Sequence, residues 1–224
     1  MKIEFCIESL EGAVSAQKWN VDTIEICCKL EKDGLTPDHN LIKQCSSNFN
    51  GESYMMIRPK DGSFCYTKEE IIQMKNDITN AYHLKVTGVV FGILNSKNLI
   101  DIPSNKLLIN HAKMLGLKST FHRAFDQVSD PFKSMEEIIE LSFDRILTSG
   151  QKNTAIEGVS LIEQLVHRSN NRIEIIAGSG IDHSNLIAIK DTGVHAVHFS
   201  IHNKETNLIN EAKIADIMNL ISET

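Results

Sequence analysis

The chain has 224 residues, of which 42% are hydrophobic and 23% are charged, so it can bury one sizeable core. Its 29 acidic and 23 basic residues give a net charge of -6, which argues against a surface for nucleic acid or for an anionic membrane. The amino terminus, MKIEFCIES, lacks the apolar core of a signal peptide, and no stretch approaches the ~20 apolar residues of a membrane span. The five cysteines, an odd number in the first third, form no disulfide framework, so we predict a cytoplasmic protein.

Short β-branched runs alternate with segments of 3.6-residue periodicity along the whole chain. The predicted strands are Ile3–Glu8, Thr23–Cys28, Tyr54–Arg58, Gly88–Leu94, Lys118–Phe125, Arg145–Ser149, Arg172–Gly178 and Ala196–Ile201. The predicted helices are Leu10–Trp19, Asp38–Ser46, Thr67–His83, Ser104–Leu115, Pro131–Leu141, Thr154–Arg168, His183–Asp191 and Asn207–Ile221. Alternating units of this number and length predict an α/β fold, a TIM-type (β/α)8 barrel in a single domain over residues 1–224. A doubly wound sheet is the alternative.

Alternate side chains of a barrel strand point into the lumen, and the bulky residues of a strand identify the face that the helices cover. By this rule, the fifth strand turns His122 inward, places Asp126 at the mouth and leaves Arg123 outward. On four other strands the same rule turns polar or sulfur-bearing side chains inward: Glu4 and Cys6, Glu25 and Cys27, Met56 and Arg58, and His198, Ser200 and His202. Because a charged group is rarely buried without a partner, these side chains indicate a site.

One hypothesis for this site is general acid/base catalysis on a small polar or anionic organic substrate. Glu25 or Asp126 would be the base, His122 the acid/base group and Arg58 the anion clamp. Each residue also has a structural interpretation. His122 would be a hydrogen-bonded core histidine, Glu25 and Arg58 a buried ion pair, and Asp126 a cap of the turn that follows its strand.

A second hypothesis concerns the cysteines. Cys6 and Cys27 face inward on sequential strands, which lie ~4.8 Å apart in a parallel sheet, so both thiolates could bind one soft cation. Cu(I) is the natural candidate because it prefers thiolate and thioether ligands. The structural alternative is that both thiols simply pack in the core, as free cysteines commonly do.

The segment IIAGSGI, Ile175–Ile181, indicates a third kind of site at the end of the seventh strand. Glycines there allow backbone amides to approach a phosphate, so Gly178, Ser179 and Gly180, with His198 on the next strand, are candidate binding residues. The eighth strand ends without a glycine, which removes half of the usual phosphate cradle. A tight turn is therefore the alternative.

Several motifs together resemble the CutC family, which is named for copper homeostasis. They are EICC, GLTP, MIRP, GSFCYT, VFG, TFHRAFD, RILTSGQ and AGSGI, in that order along nearly the whole chain. The resemblance implies a TIM-type barrel, an association with copper in which Cys6 and Cys27 would be the Cu(I) ligands, and a homodimer by family habit. Three segments depart from the family pattern: Asp33-Gly34, and then Asp38, stand where the family has a double glycine before LTPS, Lys60–Ser63 replaces part of RPRGGDF, and the loop after the eighth strand is short.

Overall fold

The computed structural model describes residues 1–203, 206 and 208–222. Its strands are β1 (Lys2–Ile7), β2 (Thr23–Ile26), β3 (Glu52–Met56), β4 (Gly88–Phe91), β5 (Lys118–Phe121), β6 (Arg145–Thr148), β7 (Glu174–Gly178) and β8 (Ala196–Ser200). Its helices are α1 (Leu10–Lys18), α2 (His39–Ser47), α3 (Lys68–His83), α4 (Ile102–Met114), α5 (Pro131–Glu140), α6 (Val159–Ser169), α7 (Leu186–Lys190) and α8 (Glu211–Ser222). The strands pair in parallel in chain order and β8 closes onto β1, which confirms the predicted TIM-type barrel.

Several helices begin where a polar side chain accepts a hydrogen bond from a free backbone N–H group. Asp38 accepts from Leu41 before α2, and Thr67 accepts from Glu70 before α3. The Glu70 carboxylate in turn accepts from the backbone N–H of Thr67, so the predicted capping box is present. No helix among residues 1–203 and 208–222 is long and apolar enough to cross a membrane.

The fifth strand is shorter than predicted. It ends at Phe121 because the Nδ1 atom of His122 accepts a hydrogen bond from Ala124 N–H, and a 3-10 helix over Arg123–Gln127 follows. A strand parity rule therefore does not hold beyond His122. Asp126 therefore lies in the 3-10 helix and not in the strand.

Three helices, α6, α7 and α8, begin three or more residues later than predicted, α7 at Leu186 rather than at His183. The Thr154 and Glu157 side chains bond each other's backbone N–H groups in a turn, and α6 begins only at Val159. Gly158 lies between this turn and α6. A side chain does not fit there, because a Cβ atom would lie 2.0 Å from the carbonyl oxygen of Ser149. Helix α8 covers Glu211–Ser222 rather than Asn207–Ile221, and residue 207 lies outside the described residues.

The barrel separates an outer core, between strands and helices, from a lumen. Phe5, Ile24 and Met55 belong to the outer core, as the parity rule predicts. The lumen holds one apolar cluster of Leu147, Ile176 and Ala196, and another of Cys6, Cys27, Tyr54, Met56 and Val90. Between these clusters lie buried charged side chains.

Candidate functional site

Glu4 is the centre of a buried ionic cluster in the lumen. Its carboxylate accepts from Arg145 Nη2 at 2.7 Å and is 2.9 Å from His198 Nδ1. The Arg145 guanidinium also donates from Nε to Thr120 Oγ1 and lies 3.8 Å from the centre of the Tyr54 ring. The strand register explains the contact between Glu4 and His198, because Glu4 on β1 is directly opposite His198 on β8. The cluster therefore connects strands on opposite sides of the barrel.

The charge states of this cluster depend on its partners. Burial alone would raise the pKa of Glu4, but Arg145 and His198 outweigh it and lower the pKa to about 2. Burial would likewise lower the pKa of His198, and the carboxylates of Glu25 and Glu4 instead hold it well above its usual value. Glu25, whose carboxylate lies 4.0 Å from His198 Nε2, has a pKa that burial raises above its ordinary range. An ionised Glu4 thus lies beside a charged imidazolium.

The two predicted cysteines lie next to this cluster. Cys6 Sγ is 3.6 Å from Cys27 Sγ and 3.5 Å from Glu25 Oε1, and Cys6 is directly opposite Glu25 in the strand register. Both thiols are buried, and the Cys27 thiol also contacts the carbonyl oxygen of Ile7 at 3.5 Å. The bond to Cys27, together with burial, holds the pKa of Cys6 well above its usual range. The second carboxylate oxygen of Glu25 is buried without a hydrogen-bond partner.

The ligand atoms of Cys6, Cys27 and Glu25 lie within 4.8 Å of one another, close enough to share one metal ion. The side chain of Met56 packs in the same cluster, and Leu30 covers it from the loop that follows β2. Gly34 borders this packing, since a Cβ there would contact Cys27 Sγ at 3.4 Å and Cε of Met56 at 3.7 Å, and its φ of +79° favours glycine at this position. Two sulfurs, with a carboxylate beside them, therefore lie just beneath a loop.

An acidic cleft of about 630 Å³ lies beside that loop at the carboxyl end of the barrel. Its lining consists of Glu8, Ser9, Glu11, Lys29, Glu31, His202, Leu208 and Ile209. Glu8 accepts a hydrogen bond from the backbone N–H of Leu30 at 3.0 Å, which fixes the loop over the sulfur pair. Three glutamates and one lysine give the cleft a negative potential.

Arg58 and His122 make no hydrogen bond or ion pair with Glu25 in the described part of the chain. Arg58 donates to the carbonyl oxygens of Lys32, Gly34 and Gly62. No ion pair joins it to Glu25 among the residues that the structure describes, so the predicted alternative of a Glu25–Arg58 pair is wrong.

Asp126 lies in a third place, at the loop that follows β6. Its carboxylate accepts from the Thr148 hydroxyl at 2.5 Å, from Ser149 N–H at 3.0 Å and from Gln151 N–H at 3.2 Å. It also accepts from Arg123 Nε at 2.9 Å, which gives that outward arginine an acidic neighbour. These bonds fix the loop that follows β6. Because they occupy the Asp126 carboxylate, it has little capacity left to bind a substrate.

The glycine turn after β7 also contacts the chain itself. The Ser179 hydroxyl donates to the carbonyl oxygen of Asn153, and the carbonyl oxygen of Gly180 accepts from the side chain of Asn185. Gly180 has a φ of +68°, and a Cβ there would lie 2.8 Å from Thr154. His198 pairs with Gly178 in the strand register, but its imidazole bonds Glu4. The turn is thus held by neighbouring loops.

Sequence reasoning assigned no role to Arg145, which completes the ionic cluster. The signal that could have found it is the parity rule itself, because Arg145 shares its face of β6 with the lumen residue Leu147. Glu4 was predicted to face the lumen but had no assigned partner.

These features define a class of protein: a closed α/β barrel with a sealed ionic cluster and two adjacent thiols below its mouth. The chain belongs to the CutC family, whose model matches residues 1–203.

Known relatives support this assignment. A family protein CutC from Glaesserella parasuis serovar 5 is 39% identical over 216 residues, which cover 96% of this chain and 88% of that protein. A family protein CutC from Pasteurella multocida is 43% identical over 201 residues, or 89% of this chain and 82% of that one. The crystal structure of the putative copper homeostasis protein CutC from Streptococcus agalactiae is 35% identical, has a TM-score of 0.83 and matches 89% of this chain and 98% of that one. The barrel of 3-hexulose-6-phosphate synthase, 11% identical with a TM-score of 0.68, shares the fold alone.

Proposed function

We propose that this protein acts in copper homeostasis by binding Cu(I) through the thiolates of Cys6 and Cys27. The observation that carries the proposal is the 3.6 Å separation of the two sulfurs. For comparison, two sulfurs on one tetrahedral zinc ion, with a metal–sulfur distance of about 2.3 Å, are about 3.8 Å apart. The sulfurs therefore need only a small shift to share an ion.

The surroundings of the sulfurs also suit a soft cation. Cu(I) prefers thiolate and thioether ligands, and the side chain of Met56 packs in the same cluster. Binding of the metal replaces the thiol protons, which leaves two thiolates and one Cu(I) with a single net negative charge. The nearby His198 imidazolium and Arg145 guanidinium offset that charge.

The acidic cleft beside the loop matches a cation in charge. Its three glutamates attract cations to the loop that covers Cys6 and Cys27. The name of the Streptococcus agalactiae relative, a putative copper homeostasis protein, supports the same role. We place this role in the cytoplasm, where a reducing environment keeps such thiols free.

Replacement of both Cys6 and Cys27 by serine is expected to abolish Cu(I) binding, because serine removes the soft donor atoms and keeps the approximate shape of the side chains. The measurement is a Cu(I) titration of anaerobic protein against a competing chelator, with metal analysis of the purified chain. The wild type should bind one Cu(I) per chain, and the double variant none above background.

Cys45→Ser provides the matched control. Cys45 is also a buried thiol in contact with a backbone carbonyl, that of Ser9 at 3.5 Å, but it lies on α2. This variant should bind Cu(I) as the wild type does. Equal Cu(I) binding by the double variant and the wild type would contradict the proposal.

A second candidate function is a barrel enzyme for a small anionic organic substrate. Buried donors of Arg58 and His122 that have no hydrogen-bond partner favour it. Glu25 and Asp126, the other two predicted catalytic residues, contact different parts of the barrel. An enzyme reaction on such a substrate would therefore depend on the Arg58 and His122 side chains.

A further inference from the structure

Among the residues that the structure describes, Nε of Arg58 and Nε2 of His122 are buried without a hydrogen-bond partner, and the buried Tyr66 hydroxyl, which interacts with the Arg58 guanidinium through its oxygen, has no acceptor for its own proton. Arg58 and His122 are each only 3% exposed. A buried donor without an acceptor destabilises the folded state, and more so when it carries a charge. Three such atoms around one loop are a feature that the rest of the fold does not explain.

All three atoms are donors. Nδ1 of His122 accepts from Ala124 N–H at 3.2 Å, so the neutral imidazole carries its proton on Nε2. Burial and the nearby Arg58 guanidinium lower the pKa of His122 to about 3, so the ring is neutral near pH 7. Burial raises the pKa of Tyr66 to about 12 although Arg58 opposes it, so the phenol keeps its proton. The guanidinium of Arg58 is always charged.

The charge of Arg58 is not ion-paired within the described residues, since the exposed carboxyl of Asp61, which feels this charge, pairs with Lys32 instead. Its three hydrogen bonds go to the neutral backbone carbonyls of Lys32, Gly34 and Gly62, and no carboxylate lies within ion-pair distance among the described part of the chain. A buried charge is ordinarily paired, because its desolvation costs several kcal/mol. The missing partner is therefore an anion.

One side chain covers this group of donors. The ring of Phe64 lies 4.8 Å from the His122 ring and 5.0 Å from the Arg58 guanidinium carbon. Phe64 is half-buried in the loop between β3 and α3, whose backbone at Phe64 accepts from Leu94 N–H. A ligand from solvent would reach the donors by displacing this ring.

We propose that Arg58, Tyr66 and His122 bind a small oxyanion, a carboxylate or a phosphate, beneath Phe64. The guanidinium supplies the charge, and the phenol O–H and the imidazole N–H donate hydrogen bonds to the oxyanion. This site goes beyond Cu(I) binding, because N–H and O–H groups that donate hydrogen bonds favour an anion and do not bind a cation. It also gives the second candidate function its binding group.

The test uses Tyr66→Phe, which removes one donor without changing the shape of the ring, and inorganic phosphate and malonate as probes in parallel titrations at constant ionic strength. Binding is measured by calorimetry and by the nuclear magnetic resonance signal of the Arg58 side-chain N–H, assigned from its loss in Arg58→Lys. We expect saturable binding of one probe, about tenfold weaker in Tyr66→Phe, because a hydrogen bond to a charged group is lost. The probe that binds more tightly identifies the carboxylate or phosphate class.

Tyr82→Phe is the matched control, since Tyr82 is an exposed tyrosine of the adjacent α3 helix, and it should bind as the wild type does. The Cys6→Ser/Cys27→Ser variant should also keep anion binding, which separates this inference from the copper proposal. Either of two results would overturn the inference: no saturable change with either probe up to about 20 mM, well above a millimolar dissociation constant, or equal affinity of Tyr66→Phe and the wild type.

Discussion

Replacement of Arg145 by methionine is expected to lower the free energy of unfolding by about 3–5 kcal/mol, because it leaves the Glu4 carboxylate buried without its strongest partner. Both residues are almost fully buried, and their atoms are 2.7 Å apart. Methionine fills part of the space of the arginine side chain, so the loss of the ion pair dominates over the loss of volume. Urea unfolding followed by circular dichroism at pH 7 measures the change.

Arg172→Met is the matched control. Arg172 also pairs closely with a glutamate, Glu136, but both side chains are more than 40% exposed. Water screens such a pair, so the expected loss is at most about 1 kcal/mol. A similar change in both variants would show that the lumen pair contributes no more than a surface pair.

The double variant Glu4→Gln/Arg145→Met tests whether the two residues act as a pair. Because each single replacement removes the same interaction, the double variant should lose less than the sum of the two singles. Additive losses would mean that Glu4 is stabilised mainly by His198, its other close partner.

Acid should destabilise the wild type more steeply than the His122→Asn variant. Burial, with the charge of Arg58, lowers the pKa of His122 to about 3, below its ordinary value of 6.5. The unfolded chain therefore binds a proton at His122 that the folded chain excludes. This contribution to stability is fully present above pH 6.5 and is lost as the pH falls towards 3.

The expected difference between the two proteins is about 2 kcal/mol between pH 6.5 and 4.5, since each pH unit corresponds to about 1.4 kcal/mol well below pH 6.5 and to about half of that at pH 6.5, where the unfolded histidine is half protonated. Asparagine suits the position because its side-chain oxygen can accept the Ala124 N–H bond that starts the 3-10 helix. Urea unfolding of both proteins across this pH range gives the two curves. His83→Asn, at an exposed histidine, should follow the wild type. Parallel curves for the wild type and His122→Asn would contradict the prediction.

Much of the barrel could be predicted because its signals are local. β-branched runs, capping residues such as Thr67 with Glu70, and alternation along each strand all act within a few residues. The parity rule correctly turned Glu4, Cys6, Glu25 and Cys27 inward, where the structure has them. The boundaries of β5 and α6 could not be predicted, because the His122 side-chain bond and the close approach of Gly158 to Ser149 depend on the folded surroundings.

The sequence by itself determined the fold, the family and which strand faces carry the ionisable groups, since periodicity and composition are properties of neighbouring residues. Only the tertiary structure decided which of those groups meet. Barrel closure and strand register bring Glu4 to Arg145 and His198, and bring Cys6 to Cys27 and Glu25, whereas Arg58 joins His122 under Phe64. The reason is physical: partners more than a hundred residues apart, such as Glu4 and Arg145, leave no trace in local pattern, and the closed sheet alone sets their distance.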